Sequence, residues 1–196
     1  MDMDGAGRLA ALVVGLLALG ILMTIGLTGA FQREDEEADE AVEAIAVSLV
    51  RPDARAALPE FTATTTAGEE FASSDLELPA VLKVFASWCG SCEAEASDVA
   101  DMLAERPDAN VYFIAVEDRA DLADAFVVEH GWDAAGEPVV IDDADRTLVS
   151  DTLGVGLGQP HTVMVNAAGE IAWVRRGPAQ LPELLGAIDA VSADGA

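Results

Sequence analysis

The chain has 196 residues, with 36 acidic against 10 basic side chains and a formal net charge of −26. So negative a surface repels nucleic acid and offers anionic lipid nothing to hold. It suits high salt, where counterions screen self-repulsion, and a halophilic source is the expectation.

Residues 1–8 are a short polar tail, and residues 9–31 carry no charge. A helix of about 20 residues spans the hydrocarbon core of a bilayer, so 9–31 is expected to be a transmembrane anchor in contact with the lipid bilayer. A cleaved signal peptide competes, since Thr28-Gly29-Ala30 are small residues suited to cleavage; its apolar core typically runs only about 7–15 residues. Arg8 and Arg33 balance across the segment, so charge does not orient it. The brevity of the tail favours a single-pass cell-membrane protein with the long C-terminal part extracytoplasmic. Residues 32–58 form an acidic stem, with a helix expected over Ala41–Val50 and ended before Arg51-Pro52. The soluble domain is expected over 59–192.

Glu60 to Phe71 predicts a small hairpin turning at Ala67-Gly68-Glu69. Val81 to Ala86, apolar but for the sole lysine Lys83, predicts a buried strand. Ala96, Val99, Ala100 and Leu103 then recur at helical spacing between Glu93 and Glu105. Val111–Val116 predicts a second buried strand, Ala120–Glu129 a helix, and Pro138–Ile141 a short strand ending at Asp142-Asp143. Ala144–Leu153 is expected to be another short helix. His161–Asn166 and Ile171–Arg175 flank a turn containing Gly169, and Leu181–Val191 closes the chain as an amphipathic helix. This order predicts a mixed α/β sheet with helices on both faces.

Trp88-Cys89-Gly90-Ser91-Cys92 links the first buried strand to its helix. Unpaired N–H groups and the dipole at a helix N-terminus favour negative charge, so a thiol there ionises readily, and the thiolate is the nucleophile of disulfide exchange. Cys89 stands where it can attack; Cys92 can then close a disulfide with it and expel the partner. Other readings of a Cys-x-x-Cys pair remain. A zinc site wants four ligands, and His130 and His161 stand alone. A structural disulfide closing so short a loop removes little unfolded-chain entropy. Neither a metal site nor a cofactor is expected.

From Val84 through Cys92, with Glu95, Pro138–Asp142, Pro160 and the Gly169 hairpin, the chain resembles the thioredoxin fold, and within it the membrane-anchored TlpA/ResA-type branch. The resemblance covers Pro59 to Val191. It implies a thioredoxin-like fold with an inserted αβ unit and an N-terminal hairpin, a solvent-exposed nucleophile at Cys89, a resolving thiol at Cys92, and a redox-active Cys89–Cys92 disulfide. It also implies a cis peptide between Gln159 and Pro160 facing that pair, with Trp88, Gly90, Ser91, Lys83 and Glu95 supporting the site. The chain departs from the family at Ser91, Glu93, Ser97, His161 and Lys83. The activity implied is thiol–disulfide exchange on protein disulfides, of the kind used in cytochrome c maturation or copper-site assembly, with electrons from a membrane thiol protein. A peroxiredoxin-type thiol peroxidase and a Cu(I) carrier using Cys89, Cys92 and His161 are the competing classes. For Lys83 two roles stand open. Its ammonium either reaches water or a carboxylate, or stays protonated beneath the thiols and stabilises a thiolate.

Overall fold

The computed structural model describes residues 49–51, 54–134, 138–156 and 158–194. The expected anchor over 9–31 and the stem helix up to Ser48 lie outside them. Among the described residues no helix is long and apolar enough to cross a membrane.

The centre of the fold is the strand Ala80–Phe85, all six residues of which are buried. Numbered in chain order it is β3, after the hairpin strands β1 (Thr62–Thr65) and β2 (Glu70–Ala72). The first helix, α1, runs Gly90–Glu105, three residues longer at its start than the apolar spacing indicates. Then come β4 (Asn110–Val116), α2 (Ala120–Glu129), β5 (Val139–Asp143), β6 (His161–Val165), β7 (Ile171–Arg176) and α3 (Leu181–Ala193). The seven strands form one sheet in the order β2-β1-β5-β4-β3-β6-β7. β3, β4 and β5 run parallel, and β6 pairs antiparallel with β3, placing Thr162 opposite Lys83 and His161 opposite Val84.

Side chains alternate between the faces of a strand. Val81 and Phe85 therefore point to one face, where α1, α2 and α3 all pack, while Leu82 and Val84 point to the other. The expectation of helices on both faces is corrected here. The second face is covered by Phe71, Leu76 and the segment Leu148–Val155, with no α-helix among the described residues. The cause lies in 144–153, expected to be helical. Arg146 adopts φ 66°, which interrupts a right-handed helix. Asp143 accepts the N–H groups of Leu148 and Val149 at 3.0 and 2.9 Å. What remains is a single π-type turn, Leu148–Thr152, closed by the Leu153 N–H on the Leu148 carbonyl.

Packing begins upstream of Pro59. Leu49 bridges to Trp173, Ala57 to Glu170, and Leu49 packs against the helix-side core. This arm satisfies backbone groups along the β7 edge that would otherwise be open for pairing with another chain. Arg55 forms an ion pair with Asp194 at the end of α3.

The underside of α1 rests on an aromatic cluster. Trp132 stacks on Phe113 (4.9 Å, 15°) and meets Phe85 and Phe126 edge-on, and its indole N–H donates to the Ala96 carbonyl at 3.0 Å. Trp132→Ala leaves a large cavity beneath the cysteine helix and is expected to cost about 3–5 kcal/mol in denaturant unfolding. A loss below about 1 kcal/mol contradicts this packing.

Candidate active site

β3 delivers the chain to the C-terminal ends of the parallel strands, and Ser87-Trp88 turn it into α1. Asp118, just after β4, fixes that turn: it accepts the Ser87 N–H at 2.5 Å and the Ser87 hydroxyl at 2.8 Å. The Trp88 indole N–H donates to the Glu117 carbonyl at 3.0 Å and leaves the ring 57% exposed. Cys89 is the N-cap of α1, its sulfur accepting the Cys92 N–H at 3.2 Å. Cys89 and Cys92 are joined in a disulfide. Cys89 retains 8% of its surface and Cys92 1%. The expected solvent-exposed sulfur is therefore largely covered, though it is still the more accessible of the two. Its cover is partly Ser91, whose hydroxyl lies 3.4 Å from the Cys89 sulfur and donates to the Gln159 carbonyl at 3.1 Å.

The Gln159–Pro160 peptide is cis and stands against this turn, as the resemblance implies. A second cis bond, Leu78–Pro79, was not anticipated. Gly90 opens α1 with free space around it: a Cβ there meets nothing within 4 Å, so glycine is not sterically required.

Lys83 and Glu95 come together in the core, each 2% exposed. The ammonium lies 2.5 Å from Glu95 Oε2 and 3.3 Å from Thr162 Oγ1, while Glu95 Oε1 accepts the Ala179 N–H at 2.8 Å. Within the first of the two roles open for Lys83, the carboxylate contact is realised and the reach to water is not. Burial pulls the Lys83 pKa below its ordinary value, with Glu95's charge and hydrogen bond acting against that pull. Glu95 lies one helical turn beyond Cys92, so the pair sits under the cysteine turn.

His161 points the other way. Thr162 reaches Lys83 on the helix face, so its neighbour His161 faces the opposite side of the sheet. It is 5% exposed, and neither ring nitrogen has a hydrogen-bond partner among the described residues. Burial holds its pKa below the ordinary value, helped by the charges of Arg176, Lys83 and Arg146. The trio Cys89, Cys92 and His161 that a Cu(I) carrier needs does not share a face. Among the described residues no group of three or more His, Cys, Asp or Glu could hold a metal ion.

The sequence reading missed Asp118, Glu117, Arg146 and Ala179. The acidic pair closing β4 was visible as a strand end, but nothing marked its contacts with Ser87 and Trp88.

Removing one member of a buried ion pair strands the other charge in the core. Lys83→Met is expected to destabilise the domain by about 3–5 kcal/mol in denaturant unfolding, and adding Glu95→Leu to recover most of that loss. A single variant as stable as wild type contradicts the pairing.

Against known proteins, the AhpC/TSA family model matches residues 54–174, more than half of the chain. No curated protein matches. DsbF of Mycobacterium tuberculosis, solved in mixed oxidised and reduced forms, is 28% identical, with 67% of this chain and 95% of that one covered at a TM-score of 0.59. A secreted M. tuberculosis disulfide oxidoreductase homologous to E. coli DsbE is also 28% identical, covering 66% and 95% at 0.57. A DsbF homologue from Corynebacterium diphtheriae, 22% identical over 72% and 90% at 0.60, shares the fold. The chain is similar to solved thiol–disulfide oxidoreductases of the thioredoxin-like fold, and it belongs to the AhpC/TSA family.

Proposed function

We propose that the Cys89–Cys92 pair is the redox centre and that the protein reduces disulfides in other proteins outside the cytoplasm, tethered by residues 9–31. The observation that carries this reading is the capping geometry. The Cys89 sulfur already accepts the Cys92 N–H at the start of a helix of 16 residues. On reduction that N–H and the helix dipole stabilise a Cys89 thiolate.

The thiolate attacks one sulfur of a substrate disulfide, forming a mixed disulfide and releasing the other sulfur as a thiolate. Cys92, after losing its proton, attacks the Cys89 sulfur. The Cys89–Cys92 disulfide forms, the substrate's second thiolate leaves, and two electrons have passed to the substrate. A membrane thiol protein returns them by the reverse exchange. The secreted M. tuberculosis relative supports an extracytoplasmic setting, and the uncharged length of 9–31 supports the anchor. Substrates of the cytochrome c maturation or copper-site assembly kind fit a reductant so placed.

The order of attack is open to a direct test. Cys92→Ser should accumulate mixed disulfides with substrate, visible as dithiothreitol-sensitive adducts by mass spectrometry, because nothing resolves them. Cys89→Ser should accumulate none. Equal trapping by both variants overturns the roles. Peroxide consumption by wild type without any disulfide exchange moves the function to a thiol peroxidase.

A further inference from the structure

Two non-glycine residues among those described have positive φ: Glu117 at 48° and Arg146 at 66°. They are bonded to each other, Arg146 Nη2 lying 2.7 Å from Glu117 Oε2, although 29 residues apart. A left-handed glutamate or arginine carries a backbone cost that glycine would not. A partly exposed ion pair returns little stability for it. Backbone outliers that persist on such terms cluster at functional sites.

Their contacts show what they hold. Glu117 lends its carbonyl to the Trp88 indole on one side of Cys89. On the other side, Arg146 Nη2 lies 3.4 Å from the Gln159 side-chain oxygen, or 3.2 Å with the carboxamide turned to satisfy both its ends. Gln159 in turn receives the Ser91 hydroxyl, and Ser91 contacts the Cys89 sulfur. Trp88, Glu117, Arg146, Gln159 and Ser91 thus form a hydrogen-bonded chain beside Cys89 whose ends are joined by the backbone of the cysteine turn, and Arg146 is the member that links its two sides. The guanidinium is mostly covered, its side chain 16% exposed and its Nε buried without a hydrogen-bond partner among the described residues. It is placed to hold loops rather than to meet a substrate.

We infer that Arg146, through its ion pair with Glu117, is a positioning residue for protein substrates, fixing the separation of the Trp88 loop and the Gln159-Pro160 loop between which a polypeptide must approach Cys89. This rests on the disulfide-exchange function proposed above. A polypeptide needs both loops in register, whereas the chemistry at sulfur needs only the helix N-terminus. Loss of the clamp should therefore appear in KM.

The test uses a peptide disulfide as substrate and compares wild type with Arg146→Met, Arg146→Lys and Arg146→Gly. The glycine variant suits the left-handed backbone and removes the side chain without straining the fold. The expectation is a KM raised about tenfold in Arg146→Met and Arg146→Gly, kcat within about twofold, and at least partial recovery in Arg146→Lys. The glutathione equilibrium of the cysteine pair should move less than about twofold. Unchanged KM in both the methionine and glycine variants overturns the clamp and leaves the exchange function standing. So does a loss accompanied by a shifted glutathione equilibrium, since the residue would then act on the thiols themselves. Wild type that exchanges with neither the peptide nor a small aromatic disulfide removes the exchange function, and the clamp with it.

Discussion

The ion pair between Lys83 and Glu95 is the constraint on which the rest of the domain depends. Taking two charges out of water costs several kcal/mol for each ion, and only close, well-bonded geometry offsets it. Here the sole lysine of the chain meets the carboxylate at 2.5 Å and a threonine hydroxyl at 3.3 Å, while the second carboxylate oxygen takes a backbone N–H. Those partners come from β3, α1, β6 and the turn before α3. If α1 slid or rotated on the sheet, a buried charge would be left unpaired. The cysteine turn begins this same helix, so the position of Cys89 follows from the registration of Glu95 beneath it.

Scarcity of cations gives the other basic side chains a similar task. With 36 acidic and 10 basic residues, carboxylates are abundant, and among the described residues Arg55, Arg106, Arg119, Arg146 and Arg175 each meet one. Several lie at junctions. Arg55 joins the N-terminal arm to the end of α3, Arg106 joins the end of α1 to Asp189 on α3, and Arg146 joins two loops beside the disulfide. Partly exposed pairs of this kind contribute little stability singly, so their effect is on which loops and helix ends are held together.

The parts of this arrangement that follow from local pattern were legible in the sequence. The apolar runs of β3 and β4, the helix after the cysteines and the Gly169 hairpin each declare themselves within a few residues. The cis Gln159–Pro160 bond came from resemblance, since a lone proline does not announce its isomer. Pairings over long separations were not legible. Lys83 and Glu95 were each singled out, yet their bond depends on how α1 lies across the sheet. Arg146 gave no signal, because its left-handed backbone and its partner 29 residues away are set by the tertiary fold. The same residue, with the Asp143 carboxylate, replaced an expected helix by a π-type turn and left the second face of the sheet without one among the described residues.

The central claim is that Cys89 and Cys92 exchange electrons in use, rather than pinning the start of α1 as a structural bond. Equilibrating the domain with thiol–disulfide buffers of graded potential, and reading the fraction oxidised by alkylation and mass, tests it most directly. The account predicts one two-electron transition within the range of working thioredoxin-fold oxidoreductases, about −120 to −270 mV. A transition below about −300 mV, where structural disulfides of secreted proteins lie, would contradict it.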